Sequence, residues 1–171
     1  MRSRDQLIVA LDASTAARAM AVARRLRGVV RTVKVGSILF TAGGPSVIQR
    51  LRTMGFHIML DLKFHDIPST VERSCRAAVR HRVSMLTVHA SGGRAMLEAA
   101  VQGVRSEAKR LRRRPPLVLG VTTLTSIAER RGRSAREVVR LAGDALQAGC
   151  DGVVAAAQEA DRLRRRCGRR L

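Results

Sequence analysis

The chain has 171 residues, 46% of them hydrophobic, and a formal net charge of +20. That length suits one domain with a real core, and that composition excludes a disordered chain. No apolar run is long enough to span a membrane, and Cys75, Cys150 and Cys167, odd in number and far apart, exclude a disulfide framework or a zinc pattern.

The opening Met-Arg-Ser-Arg-Asp leads straight into the first apolar run, Leu7–Leu11, which is strand-sized and too short for a signal peptide. Cytoplasmic placement is the expectation. Further strands are expected at Thr32–Val35, His57–Leu62, Met85–His89, Leu117–Val121 and Gly152–Ala155. They are rich in Val, Ile and Leu without strict alternation, as parallel strands buried on both faces should be. Helices lie between them. Gly44-Pro45 places Pro at a first helical position, and Ser69-Thr70-Val71-Glu72 and Ser134-Ala135-Arg136-Glu137 both match a capping box. Gly28, Gly55 and Gly149 follow helical segments where a left-handed cap is wanted. Strands recur about every 25 to 35 residues, the size of a βαβ unit. The reading is an α/β chain of six βα units over residues 1–171, in one domain.

Two architectures suit consecutive parallel units: an open doubly wound sheet or part of a barrel. The first turn lacks the Gly-x-Gly-x-x-Gly pattern of a dinucleotide fold. Polar residues instead recur at the carboxyl ends of successive strands: Asp12, Lys34, Asp61 with Lys63, His89, then Thr122 and Thr123. A (β/α)8 TIM barrel gathers its catalytic groups at that rim. An incomplete barrel of this kind is the expected fold.

Of 33 basic residues only Lys34, Lys63 and Lys109 are lysines. Arginine stays charged essentially always, whereas a lysine ammonium is a compact charge suited to proton transfer. Lys63 lies in Asp61-Leu62-Lys63-Phe64-His65-Asp66-Ile67. Alternation along a strand should point Asp61 and Lys63 to one side, with Asp66 just beyond and Lys34 on the neighbouring strand. Four charges of alternating sign would then share one pocket and titrate together. Such a set can stabilise a developing negative carbon and then protonate it. His65 and His89 stand too far from other ligands to argue for a metal.

At this point the sequence resembles the orotidine 5'-phosphate decarboxylase family. The stretches that carry the resemblance are Val9-Ala10-Leu11-Asp12, Val33-Lys34-Val35-Gly36, Leu60 through Thr70, Val88-His89-Ala90-Ser91-Gly92-Gly93, Thr122-Thr123-Leu124-Thr125-Ser126 and Ala157-Gln158-Glu159-Ala160. Ser69 departs from the family's usual Asn. The resemblance implies a cofactor-free and metal-free decarboxylation of orotidine 5'-phosphate to uridine 5'-phosphate in pyrimidine biosynthesis. It implies Lys63 as proton donor to C6, Asp61 beside the departing carboxylate, and Lys34 holding the network and touching the ribose. Asp12 would bind the ribose and Ser126 the pyrimidine. Asp66 and Thr70 would reach into a partner subunit's site, making the working unit a homodimer. The family's pattern continues past residue 171 into seventh and eighth βα units, which carry a phosphate-gripping Gln and Arg. A six-unit polypeptide alone is therefore expected to be poorly active.

Two other readings compete. A sugar-phosphate decarboxylase or aldolase of the same superfamily shares Asp-x-Lys-x-x-Asp but usually needs Mg2+; the Lys-Phe-His-Asp-Ile-Pro context favours the orotidine branch. An Arg-rich nucleic-acid-binding protein would suit the charge. However, Phe40, Phe56 and Phe64 are the only aromatic residues of the Phe, Tyr and Trp kind, so stacking platforms are missing. Neither a specific nucleic acid nor a membrane is expected as a partner.

Overall fold

The computed structural model of the chain describes residues 5–123 and 135–168. The apolar runs form strands β1 (Ile8–Ala10), β2 (Thr32–Gly36), β3 (His57–Phe64), β4 (Met85–His89), β5 (Leu117–Val121) and β6 (Gly152–Val154). Between and after them lie helices α1 (Ala16–Leu26), α2 (Ser37–Thr53), α3 (Pro68–Arg80), α4 (Arg94–Arg110), α5 (Ala135–Gln147) and α6 (Ala160–Cys167). Short 3-10 turns at Ala90–Gly92 and Ala157–Glu159 follow β4 and β6.

All pairings are parallel, and the sheet order is β1-β2-β3-β4-β5-β6. A doubly wound sheet reverses direction at a switch point. Here each new strand joins the same side, so the sheet curls one way into an incomplete (β/α) barrel. That order puts every strand's carboxyl end on one rim, as the sequence suggested.

The core lies between sheet and helices. Val33, Val35, Ile58, Leu60 and Leu86 from the strands are fully or almost fully buried with Leu39, Ile48, Leu51, Met96 and Leu97 from the helices. Each such large side chain contributes about 1.5–3 kcal/mol relative to an exposed one. Helix α3 turns a stripe of Val71, Cys75, Ala78 and Val79 inward, at the spacing that a 3.6-residue period requires. The cysteines are free, and burial pushes the Cys75 and Cys150 thiols up to about 12. They are inert core residues. Among the described residues no helix is long and apolar enough to cross a membrane.

Two local expectations are corrected. Helix α2 does not begin at Pro45: it starts at Ser37, where Leu39 is drawn into the core, and breaks at Gly44. Gly44 takes φ 59°, a left-handed value suited to glycine, and Pro45 restarts the helix after it. The capping box at Ser69–Glu72 does not form. Pro68 already occupies the first helical turn, Ile67 is the cap, and the Glu72 carboxylate pairs with Arg76 at 3.4 Å. The other box includes Ser134, which lies outside the described residues. The glycine caps hold: Gly28, Gly55 and Gly149 have φ of 79°, 94° and 91°.

Candidate functional site

Strand β3 carries the site. Asp61 sits near its carboxyl end and is only 7% exposed. A carboxylate so placed must be paired. Lys63 Nζ donates to Asp61 Oδ2 at 2.9 Å, and Lys34 Nζ, from β2, lies 3.3 Å from the same oxygen. Lys34 Nζ is also 3.6 Å from Asp12 Oδ1, just past the end of β1. The parallel register brings these groups together: Ala10 pairs with Lys34, and Gly36 with Asp61. Gly36 leaves room for the contact, because a Cβ there would lie 3.3 Å from Asp12 Oδ1.

The result is a continuous line of alternating charge, Asp12, Lys34, Asp61, Lys63. It is anchored at the buried Asp61 and becomes more exposed outward, with side-chain exposures of 24% at Lys34, 32% at Lys63 and 51% at Asp12. Burial pushes the Asp61 carboxyl up. Hydrogen bonds from Lys63 and Thr87, the Lys63 charge and the Lys34 hydrogen bond outweigh it, and the group ends below the ordinary carboxylate value. Asp61 is thus ionised at neutral pH, with an ammonium on each side.

Plain strand alternation does not produce this geometry. Lys63 has φ 49°, in the left-handed region. Leu60 pairs with Leu86 and Phe64 with Val88, so four steps along β3 match two along β4. The strand bulges over these residues and runs two residues past its expected end. A non-glycine residue in such a conformation costs about 1–3 kcal/mol and persists where its surroundings hold it. Its amide is held: Lys63 N donates to Thr87 Oγ1 at 2.9 Å, and Thr87 Oγ1 donates to Asp61 Oδ1 at 2.9 Å.

The other expected residues fall in different places. Asp66 does not join the charge line within this chain. It is exposed, and its Oδ1 accepts from the Ile67 amide at 2.7 Å; Asp12 takes the fourth place instead. Thr70 lies half-buried in the first turn of α3. His89 and His65 stack at the rim with ring centres 5.1 Å apart. Burial, together with His65 and Lys63, pushes the His89 imidazole below its ordinary value. Thr122 Oγ1 donates to the Val154 carbonyl at 3.2 Å and links β5 to β6. Thr123 is buried beside it. Ser126 lies outside the described residues. Among the described residues, no group of three or more His, Cys, Asp and Glu side chains is arranged to hold a metal ion.

Sequence reasoning missed Thr87. The signal was present: Thr87 and His89 are the only polar residues of Met-Leu-Thr-Val-His, and they are two apart, on one face of β4.

The chain is similar to known proteins in sequence and in fold. The model of the orotidine 5'-phosphate decarboxylase / HUMPS family matches residues 5–171. The orotidine 5'-phosphate decarboxylase of Syntrophotalea carbinolica is 47% identical, with 99% of this chain and 72% of that protein covered. That of Moorella thermoacetica is 42% identical, over 98% of this chain and 70% of that protein. Among solved structures, orotidine 5'-phosphate decarboxylase from Lactobacillus acidophilus superposes with a TM-score of 0.84 at 34% identity, covering 95% of this chain and 76% of that one. An uncharacterised conserved protein from Geobacillus kaustophilus gives a TM-score of 0.86 at 35% identity, covering 94% and 78%.

Proposed function

The chain belongs to the orotidine 5'-phosphate decarboxylase / HUMPS family, and from that premise we propose that its rim site decarboxylates orotidine 5'-phosphate to uridine 5'-phosphate without a cofactor. The observation that carries this reading is the charge line Asp12, Lys34, Asp61, Lys63, held at 2.9 to 3.6 Å between successive groups. The reaction breaks the bond from C6 to the carboxylate carbon. Carbon dioxide leaves, and the electron pair stays on C6. The Lys63 ammonium stabilises that pair by its charge and then transfers a proton to it, forming the new C6–H bond. Solvent returns a proton to the lysine.

Asp61 faces the departing carboxylate in this scheme. Lys34 supports Asp61 and reaches the ribose, which Asp12 also binds; Ser126 contacts the pyrimidine. Asp66, which is exposed, and Thr70 serve the site of a second copy, so the working unit is a homodimer with shared sites. The setting is cytoplasmic pyrimidine biosynthesis.

In this reading the phosphate contacts belong to βα units beyond the sixth, as the family resemblance implies. Remote binding energy lowers the barrier at the reacting carbon. A polypeptide of these 171 residues, assayed by itself, is therefore expected to turn over far more slowly than a full-length relative. Loss of orotidine 5'-phosphate absorbance, followed with and without EDTA, tests the reading. Slow turnover that EDTA leaves unchanged supports it. Turnover that EDTA abolishes moves the site to metal-dependent chemistry, and a rate equal to a full-length relative's removes the phosphate argument.

A further inference from the structure

We propose that Thr87 is a positioning residue for this site: its hydroxyl locks the left-handed Lys63 backbone and the Asp61 carboxylate into one fixed relation. The inference rests on the decarboxylase reading for its consequence in rate, but not for its geometry.

Three hydrogen bonds form a closed circuit. Lys63 N donates to Thr87 Oγ1 at 2.9 Å, Thr87 Oγ1 donates to Asp61 Oδ1 at 2.9 Å, and Lys63 Nζ donates to Asp61 Oδ2 at 2.9 Å. The direction of each bond is dictated by chemistry. An amide N–H can only donate, and an ionised carboxylate can only accept. The Thr87 hydroxyl has one proton, so it must accept from Lys63 and give to Asp61. No other orientation satisfies both neighbours.

The circuit ties two ends of one residue to one carboxylate. The Lys63 ammonium reaches Asp61 directly, and the Lys63 amide reaches it through Thr87. With both oxygens of Asp61 engaged, rotation of the carboxylate would break a bond on either side. The bulge opposite β4 spans the residues between Leu60 and Phe64, and Thr87 is the β4 residue facing it, between Leu86 and Val88. Thr87 is completely buried, at 0% exposure, so water does not substitute for its hydroxyl at the surface. Buried hydroxyls in a strand interior are kept where both their hydrogen-bonding roles are used.

Thr87 therefore sets where the Lys63 ammonium stands without touching substrate. Two variants separate hydroxyl from shape. Thr87→Val keeps the branched outline and removes both bonds; Thr87→Ser keeps both bonds and removes the methyl. In Thr87→Val the Lys63 amide loses its partner, and its hydrogen exchange, followed by NMR, is expected to accelerate at least tenfold. The turnover number is expected to fall on the order of 100-fold, the usual effect of a misplacement near 1 Å, with KM changed much less. Thr87→Ser is expected to restore slow Lys63 exchange and most of the turnover.

Unchanged Lys63 exchange in Thr87→Val overturns the proposal. So does a Thr87→Ser protein as impaired as Thr87→Val, because packing of the methyl would then be the cause. If Thr87→Val does not fold, the unsubstituted chain decides: Lys63 N–H must exchange as slowly as the amides of the buried strands, and exchange at loop rates overturns the proposal. Absence of decarboxylation in the unsubstituted chain would count against the function while leaving the exchange result to judge Thr87.

Discussion

Two carboxylates are buried among the described residues, Asp61 at 7% and Glu107 at 1% exposure, and each is neutralised in a different way. Glu107, on α4, sits among guanidinium groups between helices. Arg80 Nε donates to its Oε1 at 2.7 Å, Arg110 Nη2 to the same oxygen at 2.6 Å, and Arg76 Nε lies 3.5 Å from Oε2. Asp61 sits at the rim between two ammonium groups and a threonine hydroxyl. A guanidinium holds its protons at any accessible pH and grips a carboxylate in a rigid fork. An ammonium can surrender a proton to a basic carbon. This chain uses arginine around the buried Glu107 and sets two of its three lysines around the buried Asp61, where the proposed reaction needs a proton to move.

Lys63→Ala should show the contrast most strongly. Removing a positioned proton donor costs on the order of 10²- to 10⁴-fold in turnover. Circular dichroism should be unchanged, since Lys63 lies at the rim and one-third exposed, outside the apolar core. Exchanging the two kinds of cation sharpens the point. Lys63→Arg preserves charge beside Asp61 but supplies no transferable proton, and should lose turnover nearly as fully as the alanine variant. Arg110→Lys preserves charge beside Glu107 and should leave turnover unchanged, while lowering Tm by a few degrees through loss of the fork. Equal effects of the two exchanges on turnover would dissolve the comparison.

The smallest effect is on stability in acid. Hydrogen bonds from Arg110 and Arg80 hold the Glu107 carboxyl at about 2, below its ordinary 4.5. A carboxyl depressed on folding stabilises the folded chain at pH above its unfolded value, and that contribution is lost as pH falls toward the folded value. Tm should therefore drop between pH 4.5 and about 2. In Glu107→Gln the Tm should be lower at neutral pH and should fall less over that interval. Asp61 contributes in the same sense below its ordinary value of 3.8. Parallel Tm curves for the variant and the unsubstituted chain would show that the arginine cluster contributes nothing through ionisation.

The architecture was legible because buried parallel strands leave apolar runs at a regular interval. All six runs became strands, and the rim order followed from their succession. The charge line was legible because lysine is rare here, so Lys34 and Lys63 stood out against arginine. What escaped depends on departures from regular geometry. Alternation assumes an unbroken strand, and Lys63 instead turns left-handed in a bulge. Thr87 and His89 mark one face of β4 as polar, but the sequence does not announce that Thr87 will meet both an amide and a carboxylate. Asp66 looked like a fourth member by spacing, yet the turn into α3 directs it to the Ile67 amide. The Ser69–Glu72 pattern lost to Pro68, whose ring already fixes the helix start. Nothing in the sequence singles out Glu107, because its three arginines come from separate turns and two helices.

The central claim is that the charge line around Asp61 is where a carboxylate leaves and a proton arrives. Its most direct test is release of labelled carbon dioxide from carboxyl-labelled orotidine 5'-phosphate, under single-turnover conditions with protein in excess. The unsubstituted chain should release label above the uncatalysed background, and Lys63→Ala, folded to the same extent, should not. Equal release from both proteins, or none above background from the unsubstituted chain, would contradict the account.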